Sequence, residues 1–476
     1  MAGFLSGGTP IQQHPQNPHY FVWRGKPVAL VTSAAMYGAI INPDFDYRTY
    51  LATLAADGMN YTEFFAGAYV HPPGGKIERD TMAPAHGRFL APWARSDQPG
   101  YAQGGNKFDL SRWSLDYMTR LKDILAEADR RGIVVELTFF CSTYRDSTWA
   151  VHPLNPANNI QALPVPAGWK SLHRPDNGGA VQAVQERLVR WLVRELNGFD
   201  NLFYQIQNEP WSDNHVIGTD YINPYYVDRK FPNAVEITTA ESLAWQAAIA
   251  RVVMDEESRL PKRHMLAQNV ANFRLALRPD DIVPGVDLVH FHYAYPETVT
   301  WNTWLGKTIG FDETGFAGTA DAPYRRQAWN FMMAGGGVFN HLDFSFAVGF
   351  EDGTDSQPTT PGGGSPALRR NIRVLSEFLH SFDLASLRPD PHVVKENPGV
   401  VPRALSVPGK AYAVYLEGRS PADLGLDLPA GRWKAEWIDP IDGRLAKTED
   451  IDHGGGLKRL TSPQFAESVA LRVRRK

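Results

Sequence analysis

The chain has 476 residues, 43% of them hydrophobic, with 48 Lys+Arg against 52 Asp+Glu for a formal charge of −4. That balance, with no basic run longer than the terminal Arg474-Arg475-Lys476, excludes a broadly cationic nucleic-acid binder, and the apolar content excludes global disorder. The single cysteine, Cys141, excludes an intrachain disulfide and a multi-cysteine zinc or iron–sulfur centre; no apolar run long enough for a membrane span and no basic-then-apolar leader are seen, so a cytoplasmic protein is expected, a trimmed secreted chain being the alternative.

From about residue 25, short apolar runs alternate with amphipathic helices. Strands are expected over 28–32, 60–65, 134–139, 202–207, 265–270, 287–293, 308–312 and 337–344. Helices are expected over 47–56, 112–131, 181–196, 239–260, 324–333 and 367–382. In 112–131 the residues Leu115, Met118, Leu121, Ile124, Leu125 and Ala128 share one face, and Gly132 is the stop. Strands alternating with helices imply parallel strands and right-handed crossovers. Eight such units predict a (β/α)8 TIM barrel. A doubly wound open sheet is the alternative, weakened because no glycine fingerprint follows the first strand. Three long segments, 66–110, 140–179 and 210–238, follow the second, third and fourth strands. As βα loops they belong on the C-terminal face, where barrel active sites sit. Their aromatics, including Trp93, Trp149, Trp169, Trp211 and Tyr225-Tyr226, predict ordered walls.

Past residue 384 the texture changes to short alternating segments at 411–416, 424–428, 432–438, 457–461 and 469–473. Turn signals such as Pro408-Gly409 and Asp442-Gly443 separate them. This predicts a C-terminal antiparallel β-sandwich. The expected division is 1–383 for the barrel and 384–476 for an accessory module.

Two strand ends carry the chemistry. The fourth strand ends Gln207-Asn208-Glu209-Pro210, and the proline stops the strand just past the carboxylate. The seventh ends Phe311-Asp312-Glu313-Thr314-Gly315. Glu209 and Glu313 would face each other across the barrel mouth. That is the arrangement in which one carboxyl donates a proton to a glycosidic oxygen and the other attacks the anomeric carbon.

This pair of strand-end motifs resembles glycoside hydrolase clan A, in particular the family 5-like cellulase and mannanase group. The resemblance implies a retaining mechanism on β-glycosides, with Glu209 as acid/base, Glu313 as nucleophile and Asn208 touching the sugar 2-hydroxyl. The segment Phe21-Val22-Trp23-Arg24-Gly25-Lys26-Pro27 is similar to the hairpin that closes the barrel floor in such enzymes. The sixth strand, His290-Phe291-His292-Tyr293-Ala294-Tyr295, is similar to the clan's His/Tyr strand. It implies His292 as a substrate contact and Tyr293 or Tyr295 as the hydroxyl that steadies the nucleophile.

Two departures point to a sister family rather than family 5 itself. The second strand ends Thr62-Glu63-Phe64-Phe65 where family 5 has Arg, and the eighth reads Asn340-His341-Leu342-Asp343-Phe344 where a Trp is common. Glu63 and Asp343 are candidates either for sugar hydroxyls or for pairing with Arg or Lys. Asp312 is expected on the strand face opposite Glu313, in a structural role. Trp149, Trp211 and Trp301 are candidate sugar platforms. The His290-x-His292 pair could also suggest a metal hydrolase, but the further ligands are missing, so no metal and no cofactor is expected. Cys141 is expected as a buried thiol. The expected partner is a carbohydrate substrate, held in a pocket that favours short glycosides or chain ends. A barrel that binds sugar without turnover is the alternative from another class.

Overall fold

The computed structural model describes residues 8–476 apart from 35–36, 76, 78, 219–234, 273–274 and 357–361. Eight parallel strands form the barrel: β1 (Leu30–Ser33), β2 (Tyr61–Phe65), β3 (Val134–Cys141), β4 (Leu202–Asn208), β5 (Leu266–Asn272), β6 (Leu288–His292), β7 (Thr308–Glu313) and β8 (Val338–His341). Their ladder runs β1-β8-β7-β6-β5-β4-β3-β2, every pair parallel. The remaining seam, β1 against β2, is closed by side chains. Asn60 accepts from the Val31 amide at 2.9 Å and donates to the Ala29 carbonyl at 2.8 Å, so one amide side chain replaces a rung of the ladder.

The barrel helices are α1 (Tyr47–Ala56), α2 (Leu115–Arg130), α3 (Ala180–Leu196), α4 (Ala240–Glu257), α5 (Pro296–Trp301), α6 (Asp321–Met332) and α7 (Pro366–His380), and two short helices, Asp146–Val151 and Pro210–Asp213, lie in the segments after β3 and β4. α2 shows why the pattern was legible. Ser114 caps it by accepting from the Tyr117 amide, and Tyr117, Met118, Leu121, Ile124, Leu125 and Ala128 are buried along one stripe. Leu115, expected on that stripe, is instead 79% exposed at the first helical position, directly after the Ser114 cap. After β5 the described chain makes only a one-turn 3-10 helix, Pro279–Asp281. Below the barrel, Ile11 and Phe21 join the first residues of the strands, Leu30, Tyr61, Val134, Phe203, Leu288 and Val338, in one apolar plug. The segments Phe21–Trp23 and Lys26–Val28 pair antiparallel there as the floor hairpin.

The C-terminal strands are β9 (Arg388–Pro389), β10 (Val394–Glu396), β11 (Val400–Val407), β12 (Ala411–Gly418), β13 (Asp423–Leu428), β14 (Gly431–Ile438), β15 (Leu445–His453), β16 (Gly456–Thr461) and β17 (Ser468–Arg475). Two antiparallel sheets, β9-β11-β12-β17-β14-β15 and β10-β13-β16, enclose Leu416, Leu426, Trp433, Trp437 and Leu471. The outer face of the larger sheet gives Leu405, Ala413, Tyr415 and Ala470 to the barrel's own core, with Tyr415 stacked on Trp329 of α6 at 5.2 Å. Four strands, β9, β10, β11 and β15, had no counterpart in the sequence pattern. Pro402 interrupts β11, and β15 is a polar edge strand whose sequence lacks clean alternation. No helix among the described residues is long and apolar enough to cross a membrane.

Candidate active site

A cavity of about 280 Å³ opens at the C-terminal ends of the strands, with Asn208, Glu209 and Glu313 in its lining. Glu209 follows β4 directly and adopts φ 48°, a left-handed conformation that costs a non-glycine residue on the order of 1 kcal/mol or more. Neighbours hold it there. Its amide donates to Asn269 Oδ1 at 3.0 Å, and its carbonyl accepts from Ser142 Oγ at 2.6 Å. Glu313 ends β7 and takes one tyrosine hydroxyl on each oxygen: Tyr293 on Oε1 and Tyr37 on Oε2, both at 2.7 Å. His292 Nδ1 stands between the two carboxylates, 3.1 Å from Glu209 and 3.6 Å from Glu313. One oxygen of each carboxylate and this nitrogen lie within 4.8 Å of one another.

Backbone strain gathers here. Of the six described non-glycine residues with positive φ, Tyr144 (64°), Glu209 (48°) and Phe316 (59°) line the cavity, and Tyr293 (51°) bonds Glu313. Such conformations persist only where the surroundings over-determine them.

The electrostatics are those of a crowded, dry site. Burial raises the Glu313 carboxyl above its ordinary range, the Glu209 charge adds to this, and the His292 imidazole and the Tyr hydroxyls oppose it. Burial works against a charge on His292, yet the Glu313 and Asp312 carboxylates outweigh it and hold the imidazole well above its usual range. Asp312 corrects the alternation argument. Against β6 the register slips, Phe291 pairing with Phe311 but His292 with Glu313. The extra residue turns Asp312 inward as well, wholly buried and 3.5 Å from His292 Nε2. Beneath it His290 packs directly over Gly310, where any Cβ would collide with its ring.

The other expected site residues scatter. Glu63 lies under the cavity and outside its lining, accepting from Thr138 Oγ1 and from Gln205 Nε2 at 3.1 Å; burial, then the charges of Glu136 and Asp312, push its carboxyl far up. Asp343 is wholly buried, paired with Arg369 at 2.8 Å, which is the ion-pair alternative of the two weighed for it. Trp211 is also wholly buried, its ring edge-on to His292 at 5.3 Å, so it backs the imidazole rather than facing the cavity. Trp149 is half-buried against His152, Trp301 is 42% exposed on α5, and Tyr295 precedes that helix; none is in the cavity lining. Trp93 is in the core, and Tyr225 and Tyr226 lie outside the described residues. Cys141 is buried at the cavity wall, and burial raises its thiol far above the usual range.

Tyr37 and Phe316 were missed. Tyr37 follows β1 in a segment without periodicity, and Phe316 is a lone aromatic three residues past Glu313. A second wall was missed too. Segment 66–110 supplies Tyr69, His71 and Arg79, segment 140–179 supplies Tyr144 and Arg145, but Phe344 and Phe346 come from the loop after β8. Arg79 ties the two sides together by a two-pronged bond to Asp355 at 2.6 and 2.8 Å. Among the described residues, two sets of side chains, Glu136–His290–Asp312 and Glu209–His292–Glu313, are close enough to close on a cation, but in each the imidazole can carry the compensating charge itself.

Comparison with known proteins places the fold. No family model matches the chain, and no curated protein matches it by sequence. Solved structures do. One described as a glycoside hydrolase superposes with a TM-score of 0.60 at 13% identity, over 98% of this chain and 97% of that one. A glycoside hydrolase family 5 structure from Bacteroides vulgatus gives 0.61 at 13% identity, over 98% and 94%. Both barrel and sandwich are therefore shared with proteins of that description.

Proposed function

We propose that the protein is a retaining glycoside hydrolase acting on β-glycosidic bonds of oligosaccharides or small glycosides. The observation that carries this is the carboxylate pair: Glu209 and Glu313, at the ends of β4 and β7, bring one oxygen each within 4.8 Å of the other, the close approach that a double displacement requires. The roles follow from the environments. Glu313 accepts a hydroxyl on each oxygen and faces the His292 imidazole, contacts that oppose the effect of its burial and suit a nucleophile that must ionise. Glu209 is more open at 15%, meeting His292 and, at 3.4 Å, Ser212 among the described residues, which suits a carboxyl that exchanges a proton with substrate and water. Glu209 protonates the glycosidic oxygen as Glu313 attacks the anomeric carbon and the C–O bond breaks. Glu209 then takes a proton from water, which attacks that carbon and releases Glu313.

Asn208, with an Oδ1 that has no partner among the described residues, is proposed for the sugar 2-hydroxyl, and Phe316 for its apolar face. The walls joined by Arg79 and Asp355 favour a short glycoside or a chain end. Residues 1–383 form the catalytic unit in this reading, and 384–476 a packing module. Incubation with a 2-deoxy-2-fluoro aryl glycoside tests it: one glycosyl unit should remain on the peptide containing Glu313. Release of the inverted anomer, followed by proton NMR, would overturn the mechanism.

A further inference from the structure

Below the cavity runs a buried string of groups that can alternate in charge. Glu136 on β3, His290 and His292 on β6 and Asp312 on β7 are all wholly excluded from solvent. Glu136 Oε1 is 3.2 Å from His290 Nε2, and Asp312 Oδ1 is 3.5 Å from His292 Nε2. Glu136, His290 and Asp312 present atoms within 4.8 Å of one another. The string ends on His292 Nδ1, between Glu209 and Glu313. Its carboxylates are pinned from outside: Tyr61 donates to Glu136, and Asn269 Nδ2 donates to Asp312 Oδ2 at 2.8 Å. The same Asn269 holds the Glu209 amide through Oδ1, so one side chain links Asp312 to the backbone that positions Glu209.

We propose that Asp312 is a positioning residue that acts through His292, making the imidazole the resting place of the proton that Glu209 delivers to the glycosidic oxygen. This rests on the hydrolase reading above. Two carboxylates this close in a dry site cannot both be charged without a cation between them. Among the described residues the groups facing His292 are Glu209 and the Trp211 ring after β4, Asp312 and Glu313 on β7, His290 on its own strand and Tyr293 just past it. Only His290 among them can carry a positive charge, and Glu136 and Asp312 stand beside it. The charge of Asp312 on the far nitrogen therefore decides that the shared proton sits on Nδ1 in the free protein.

When a glycosidic oxygen enters, the Nδ1–H bond breaks as a Glu209 O–H forms, and Glu209 passes that proton on. In the second half Glu209 takes a proton from water and returns it to Nδ1, leaving the count unchanged. Consistent with this, the His290 and His292 imidazoles are held above their usual range by neighbouring carboxylates despite burial. Asp312, against its own burial, is held below its range by the two imidazoles.

Asp312→Asn tests this, because it keeps the shape and removes the charge. For a glycoside with a poor leaving group, the alkaline limb of kcat/KM should move down by about one pH unit or more. The loss at pH 8 should be about tenfold greater than for an activated aryl glycoside, which needs little acid help. An unmoved limb, or equal loss for both leaving groups, overturns the proposal. A second readout does not depend on turnover or on that variant folding. In the wild-type protein, nitrogen-15 NMR of the imidazoles should show both His292 nitrogens protonated at pH 7, and a neutral ring there overturns it as well. A wild-type protein that cleaves no glycoside would instead remove the hydrolase reading, while the imidazole spectrum would still report where the proton sits.

Discussion

Two aspartates lie wholly buried at the tops of neighbouring barrel strands, and they are wired differently. Asp343, just past β8, pairs with Arg369 at 2.8 Å and accepts from Ser33 at 3.0 Å and from Ser345. Arg369 also bonds Asp57 at 2.6 Å and the Gly353 carbonyl at 3.0 Å. Gly364, at φ 112°, passes so close to Asp343 that any Cβ would collide with it. Asp312, on β7, faces imidazoles instead. A guanidinium does not give up its proton in a protein, so the Asp343 pair is a permanent brace between β8 and α7. An imidazole, unlike a guanidinium, can give up its proton, so the same carboxylate beside His292 becomes part of a site that can move one. The partner, not the burial, separates the structural aspartate from the one beside the chemistry.

The strongest way to break this comparison is at the carboxylates the imidazole serves. Glu313→Ala should lower kcat by more than about 10⁴-fold on every glycoside, activated or not, measured by initial rates with the variant's melting curve intact. Glu209→Ala should cost about 10²–10⁴-fold on unactivated glycosides, far less on aryl glycosides with good leaving groups, and should recover with azide. Equal losses for the two variants on activated substrate would mean that the roles are misassigned. The brace should respond in stability rather than turnover. Asp343→Asn removes one of the two carboxylates that face the buried Arg369, Asp57 remaining, and should cost about 1–3 kcal/mol in denaturant unfolding, with kcat per folded molecule nearly retained.

The pH dependence of stability sharpens the contrast. His290 and His292 have folded values raised above 6.5, so the stability they contribute is fully present below that pH and is lost as pH rises through the raised values. Thermal melting should therefore fall on the alkaline side, and Asp312→Asn should flatten that fall. In the sandwich, Glu436 is held down to about 2 against its burial, by Lys434, Arg472 and Arg474, so its contribution appears above about pH 4.5 and is lost on acidification. Glu436→Gln should soften only the acid side of the same profile. The smallest effect expected is at the cavity lip. Phe316→Ala should raise KM several-fold, about 1 kcal/mol, with kcat little changed. An unaltered KM would remove Phe316 from substrate binding.

The order and type of the barrel elements were legible before any coordinates, because helix and strand periods are local properties of the chain. α1 has the expected bounds of 47–56, and each barrel strand overlaps its expected segment. The placement of Glu209 and Glu313 at strand ends was legible for the same reason, since an apolar run that stops at a carboxylate beside proline or glycine marks the rim. The sequence by itself therefore determined the alternating elements, the barrel they imply, the sandwich texture and the two rim carboxylates. Only the tertiary structure decided the rest. A one-residue slip between β6 and β7 turned Asp312 inward, against the period-two rule. Tyr37, 276 residues from Glu313 along the chain, arrived as its second hydroxyl donor. Arg369 claimed Asp343, and Trp211 sank behind His292. Each of these depends on which distant group occupies the neighbouring space, and a contact of that range leaves no periodic trace in the chain that makes it.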